Sequence, residues 1–164
     1  MDKKYFFFDI DNTLGLSISS IIPADTAYCL RQLRRRGHFV SIATGRLQCD
    51  AQHFADRYSI PAVVSDGGNS LSLDGEILEM EGLPLEPCKA LLRELDERRL
   101  PWAVVTDNTI CRYTPYADYP CADPKNYMKT VVRPIAIDSL DAVYKITYAR
   151  PADEQNEPNR QDLP

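Results

Sequence analysis

Hydrophobic positions in this chain come first as unbroken runs and later as alternations. Tyr5, Phe6, Phe7 and Phe8, followed by Asp9, predict a central strand, since a continuous apolar run implies burial on both faces. Residues 15–22 read as a small, apolar loop. Ala24, Ala27, Leu30 and Leu33 recur at helical spacing over 23–36; Arg34, Arg35 and Arg36 then fall in the last turn, where cations suit the helix dipole, and Gly37 suits the position just past the cap. Residues 39–43 predict a second strand, ending at Thr44-Gly45-Arg46. A second helix is expected over 47–58, with Ala51, Phe54, Ala55 and Tyr58 on one face. After Pro61, residues 62–65 form a third strand running into Asp66-Gly67-Gly68-Asn69. Strand, helix, strand, helix, strand predicts two right-handed crossovers and a parallel sheet.

The pattern then changes. Residues 70–79 alternate around Asp74-Gly75, a two-residue hairpin signal. Pro84 and Pro87 precede a helix reaching about residue 99, with Cys88, Leu91, Leu92 and Leu95 on its buried face and Glu94 and Arg98 as an i,i+4 pair. Strands are expected over 102–106 and 109–113, joined at Asp107-Asn108, and again over 142–148, with 131–135 a weaker candidate. Residues 114–129, rich in Pro, Tyr and Asp, carry no assignable pattern. From Arg150 onward the chain is polar and proline-bearing, which predicts a disordered tail. The expected organisation is a parallel core over 1–82, a more antiparallel α+β unit over 83–149 and a tail over 150–164.

Composition narrows the function classes. With 164 residues, 44% hydrophobic and 26% charged, the chain suits one ordinary domain or a small core with an appendage. A net charge of −5 argues against nucleic-acid or anionic-membrane partners. The one basic cluster, Arg31 with Arg34, Arg35 and Arg36, is accounted for as helix-end chemistry. The five cysteines (Cys29, Cys49, Cys88, Cys111, Cys121) are scattered and never form a C-x-x-C pair. That supports neither a disulfide framework nor a zinc site and points to a reducing, cytoplasmic compartment. There is no charged-then-apolar leader, and no apolar run approaches the roughly 20 residues that span a bilayer.

The chemistry concentrates at two strand ends. Asp9 and Asp11 lie at the carboxyl end of the first strand, where ligands bind in open α/β sheets. Carboxylates placed there are costly unless paired or bound to a metal, and a divalent cation is the simplest candidate. One could attack an electrophile such as phosphorus while the other exchanges protons, with Mg²⁺ neutralising the charge between carboxylate and phosphate. The alternative is a pair of solvated strand-end acids. Thr44, Gly45 and Arg46 at the end of the second strand offer a hydroxyl, close backbone approach and a guanidinium, a phosphate grip. The alternative there is a turn in which Thr44 caps the following helix. Two such motifs on adjacent strands favour a phosphate site.

These residues carry a resemblance. Asp9-x-Asp11-x-Thr13-Leu14 resembles the first motif of the haloacid dehalogenase (HAD) superfamily, and Ile42-Ala43-Thr44-Gly45-Arg46 resembles its second. The turn at Ser65-Asp66-Gly67-Gly68 with its hairpin is similar to the Asn-Gly-Ala turn of the Cof-type subfamily, which inserts an α+β cap after that hairpin. The resemblance implies an α/β fold: a Rossmann-like parallel core, HAD-like but incomplete, with an α+β cap. It also implies a Mg²⁺-dependent phosphohydrolase acting on a small phosphorylated metabolite, by default a sugar phosphate. Asp9 would be the nucleophile forming an aspartyl-phosphate. Asp11 would be the general acid/base and would lend the metal its backbone carbonyl, so that Asp9 and Asp11 hold the Mg²⁺. Thr44 would bind the phosphoryl group, with Gly45 and Arg46 completing that turn. Asn12 replaces a glycine often found in the first motif, a change the loop should tolerate.

Two further family motifs, a phosphate-neutralising lysine and an acidic Gly-Asp…Asp strand, normally follow the cap, and no Gly-Asp-x-x-x-Asp pattern is found here. Lys145, in Val143-Tyr144-Lys145-Ile146, resembles a cap strand returning to the core; Lys125 and Lys129 lie in cap-like sequence. The chain is then expected to be a truncated member, a fragment, or an oligomer in which a neighbour covers an exposed sheet edge. Two function readings remain beside the phosphatase: a weak or inactive relative that binds phosphate or metal or serves as a subunit, and a receiver-type phosphoacceptor, which leaves the hairpin unexplained. His38 and His53 read as surface histidines. Trp102, Tyr113, Tyr116 and Tyr119 could line a substrate pocket or form the core of the cap.

Overall fold

The computed structural model describes residues 2–15, 21–120 and 127–149. The tail expected at 150–164, part of the 15–22 loop, Cys121 and Lys125 lie outside the described residues. The first sheet has the order β1-β2-β3-β4-β5, built from β1 (Tyr5–Phe8), β2 (Phe39–Ala43), β3 (Ala62–Ser65), β4 (Ser70–Leu73) and β5 (Glu76–Met80). β1, β2 and β3 run parallel, connected by α1 (Ala24–Arg35) and α2 (Gln48–Tyr58), and the β4–β5 hairpin adds antiparallel strands to β3. Ile10, Leu30, Val40, Ile42, Phe54 and Val63 make the centre of its core. α1 ends as its sequence predicts: the Gly37 and His38 amides donate to Arg34 O and Leu33 O (2.9 and 3.1 Å), with Gly37 at φ +81°. Asp74 and Gly75, both at positive φ (52° and 84°), turn the hairpin.

β1 differs from expectation. Among the described residues it is an edge strand rather than a central one, with Tyr5 63% and Phe7 58% exposed. The aromatic run is served by its own kind: Phe6 stacks on Phe8, and Tyr5 and Phe7 both lean on Phe39 of β2. Among the described residues the run is met by ring-on-ring packing along one pair of strands and is not buried on both faces.

The second sheet has the order β8-β7-β6-β9, from β6 (Trp102–Val105), β7 (Cys111–Thr114), β8 (Lys129–Val132) and β9 (Lys145–Tyr148). β6 is antiparallel to both neighbours, while β7 and β8 are parallel. β8 starts at the end of the stretch that carried no assignable pattern and takes in the first two residues of the weaker candidate at 131–135. α3 (Leu85–Glu97) packs Leu92 and Leu95 against Trp102 and Val104. Pro87 sits within its first turn, where the missing N–H costs nothing. Leu91, expected on the buried face, is 43% exposed, and Lys89 is buried instead because its ammonium donates to Asp138 O at 3.0 Å. Trp102 and Tyr116 join this core, and both donate to the Asp96 carboxylate. Tyr119 is buried, with its hydroxyl on Thr147, and the Tyr113 hydroxyl donates to Asp107.

Candidate active site

Each strand tip is shaped by its own backbone. Past β1 the amides of Thr13, Leu14 and Gly15 all converge on Ile10 O at 3.0–3.4 Å. With Ile10 and Leu14 fully sunk in the core, the flanking Asp9 and Asp11 are left to the cavity side. Asn12 takes φ +60°, a left-handed conformation that asparagine adopts more readily than most residues, which accounts for its place where a glycine is common.

Past β2, Thr44 N donates to Val64 O (3.0 Å) and Gly67 N to Thr44 O (3.3 Å), while Asp66 N donates to Arg46 O (2.8 Å). The Thr44–Arg46 turn is thus laced to the Ser65–Gly68 turn, where Asp66 and Gly67 have positive φ. The Thr44 hydroxyl accepts from Arg46 N (3.3 Å) and does not cap α2, whose N-cap is Leu47 with no side-chain bond of its own. The first amides of α2 are met by three other elements. Leu47 N donates to the Tyr127 hydroxyl (3.1 Å), Gln48 N to Asp66 Oδ2 (3.1 Å) and Cys49 N to Asn108 Oδ1 (3.2 Å). Asn108 also donates to Gln48 Oε1 at 2.8 Å. Two of these three partners, Tyr127 and Asn108, come from the second half of the chain.

Arg46, only 2% exposed, is the electrostatic centre. Its Nε and Nη2 donate to the two oxygens of Asp11 (3.0 and 2.6 Å), and its Nη1 donates to Asp50 Oδ2 (2.8 Å). Burial pulls its pKa down, but the bonds and charges of Asp11 and Asp50 outweigh that and push it up. The Tyr127 ring lies 5.5 Å from the guanidinium. Expected to complete a phosphate grip, Arg46 here holds carboxylates together.

One cavity of about 300 Å³ gathers these groups: Asp9, Asp11, Thr44, Gly45 and Arg46, with Tyr127, Met128 and Lys145. All five residues singled out at the two strand tips therefore line a common space. Lys145, first residue of β9, reaches across to donate from Nζ to Gly45 O at 2.8 Å. Burial lowers the pKa of its ammonium, and the Asp66 charge works against that fall. Burial also raises the Asp66 carboxyl, countered by the Gln48 amide and by Lys145, and pushes the Tyr127 phenol up to about 12.

Lys145, Tyr127, Asp50 and Asp66 were not among the site residues read from sequence. Asp50 could have been found as the acid in the first turn of α2, four residues beyond Arg46. Lys145 carried one signal, a lone cation interrupting the apolar run of its strand.

For Mg²⁺ the donor set is small. Among the described residues no three His, Cys, Asp or Glu side chains cluster as a metal cage. Mg²⁺ does not need one, since it is commonly held by one or two carboxylates plus substrate phosphate and water. The oxygens of Asp9 and Asp11 at this cavity fit that mode.

The chain belongs to the haloacid dehalogenase-like hydrolase family, whose model matches residues 6–163. YkrA of Bacillus subtilis strain 168, whose phosphatase name is provisional, is 29% identical over 110 residues, which make up 67% of this chain and 42% of that protein. A hypothetical protein of Geobacillus kaustophilus HTA426 superposes with a TM-score of 0.73 at 26% identity, covering 94% of this chain and 60% of the other. The HAD subclass IIB sugar phosphatase BT4131 superposes with a TM-score of 0.64 at 23% identity, covering 87% and 56%. The chain thus spans about two fifths of YkrA's length. No helix among the described residues is long and apolar enough to cross a membrane.

Proposed function

We propose that this protein is a phosphatase-type hydrolase acting on a small phosphorylated metabolite of the sugar-phosphate class, with the second sheet serving as a cap over the site. The observation that carries this reading is the shared cavity, in which Asp9, Asp11, Thr44 and Gly45 face a volume suited to a small ligand. An Asp9 carboxylate oxygen attacks phosphorus as the bond to the leaving oxygen breaks, and Asp11 gives that oxygen its proton. Water then attacks the aspartyl-phosphate, Asp11 takes its proton, and inorganic phosphate leaves with Asp9 restored. Thr44 and the Gly45 backbone hold the phosphoryl oxygens. Mg²⁺, held by Asp9 and Asp11, would supply charge neutralisation between the carboxylates and the phosphate.

Arg46 supports a second reading. Both Asp11 oxygens accept from its guanidinium, which leaves only their remaining lone pairs to meet a substrate oxygen unless one of those bonds opens. A protein in which those bonds hold Asp11 away from the substrate oxygen binds phosphate or metal without turning it over. Release of phosphate from p-nitrophenyl phosphate, with Mg²⁺ and with EDTA, separates the two. The phosphatase reading expects Mg²⁺-dependent release that Asp9→Asn reduces by at least about a thousandfold. Phosphate binding by a folded protein with no release establishes the second.

A further inference from the structure

The backbone around Lys145 is pinned from both halves of the chain. Leu83 N donates to Val143 O (2.7 Å) and Tyr144 N to Val105 O (2.8 Å), and Lys145 pairs with Val105 in the β6–β9 register. From that fixed base the side chain crosses to the turn after β2 and ends in the cavity wall.

Charge pairing separates it from the other cation there. Arg46 is engaged by two carboxylates, whereas among the described residues no carboxylate lies within ion-pair distance of Lys145. An ammonium has three donors, and a single bond, to the Gly45 carbonyl, is made among the described residues. A phosphate entering beside Asp9 and Asp11 meets two negative charges and needs a positive one that is not already spoken for. A partly desolvated ammonium meets that need more strongly than a solvated one.

We propose that Lys145 is a phosphate-binding residue, holding the Gly45 carbonyl with one donor and a phosphoryl oxygen with another. The proposal rests on the phosphatase reading of the same cavity. It makes the second sheet part of the phosphate site itself, and not only a cover over the substrate's remainder.

Calorimetric titration of the full chain with inorganic phosphate in the presence of Mg²⁺ tests it, with thermal melting recorded on the same samples. Lys145→Met is expected to weaken phosphate binding by about 10- to 100-fold, the range of one charge-assisted hydrogen bond. Lys145→Arg should restore binding to within about threefold of the parent, since it returns the charge and a donor. If Lys145→Met does not fold, Lys145→Gln takes its place. Parent-like phosphate affinity in the neutral variant overturns the proposal even where its melting temperature falls, because Lys145 is then only a strut between the sheets. Failure of arginine to restore binding overturns it as well. A parent protein that binds no phosphate removes the site reading together with the proposal, an outcome distinct from the other two.

Discussion

The two sheets bring opposite things to the same cavity. The first offers carboxylates from strand ends: Asp9 and Asp11 beyond β1, with Asp50 behind them in α2. It answers three acids with one buried guanidinium, so its wall stays anionic. Among the described residues, the second sheet and the segment leading into it bring no acid to the lining, only Tyr127, Met128 and the Lys145 ammonium. The acid-bearing wall is paired internally through Arg46, while the facing wall is bonded to it at residues 45–49. Carboxylates and the Lys145 ammonium thus reach the same cleft from parts of the chain a hundred residues apart.

Arg46→Ala strikes the acidic wall hardest. It leaves Asp11 and Asp50 facing each other without their shared cation, and should cost about 2–3 kcal/mol in urea denaturation, less than for a fully buried triad because both acids retain some solvent. A stability unchanged within error would show that the two carboxylates are solvated and independent. Asn108→Ala acts on the joint. It removes the acceptor for Cys49 N and the donor to Gln48, and should lower stability by about 1 kcal/mol while raising the Michaelis constant more than it lowers turnover. Gly75→Ala is the distant control. At φ +84° an alanine is strained, though a Cβ would touch nothing within 4 Å. A loss of about 1 kcal/mol with unchanged phosphate binding is expected, checked by melting and calorimetry together.

Local signals carried much of the fold. The helix end at Gly37, the hairpin at Asp74-Gly75 and the three parallel strands follow from turn chemistry and periodicity within short windows. What failed depended on neighbours. Four aromatics look alike whether they pack between two strands or beside one, so β1 was read as central although Tyr5 and Phe7 face outward. Trp102–Val105, an equally apolar run, is an inner strand with α3 packed on Trp102 and Val104, and it is buried throughout. Leu91, expected to be buried, is exposed, while Lys89 is buried because Asp138, distant in sequence, supplies the carbonyl that accepts from it.

The candidate site divides in the same way. Asp9, Asp11, Thr44, Gly45 and Arg46 stand in two compact motifs and could be named directly. Lys145 and Tyr127 reach the cavity only through the placement of the second sheet. No spacing rule connects Lys145 to a glycine a hundred residues earlier, or Tyr127 to the amide of Leu47.

The shared start of α2 also makes it an indicator of how the two halves are seated. Its first three amide protons are held by a tyrosine and an asparagine from one half and by an aspartate from the other. Swinging the halves apart would free the Leu47 and Cys49 protons to exchange with solvent while leaving that of Gln48 protected. Three consecutive amides with unlike exchange rates would therefore report opening and closing of the cleft from within, with no label attached.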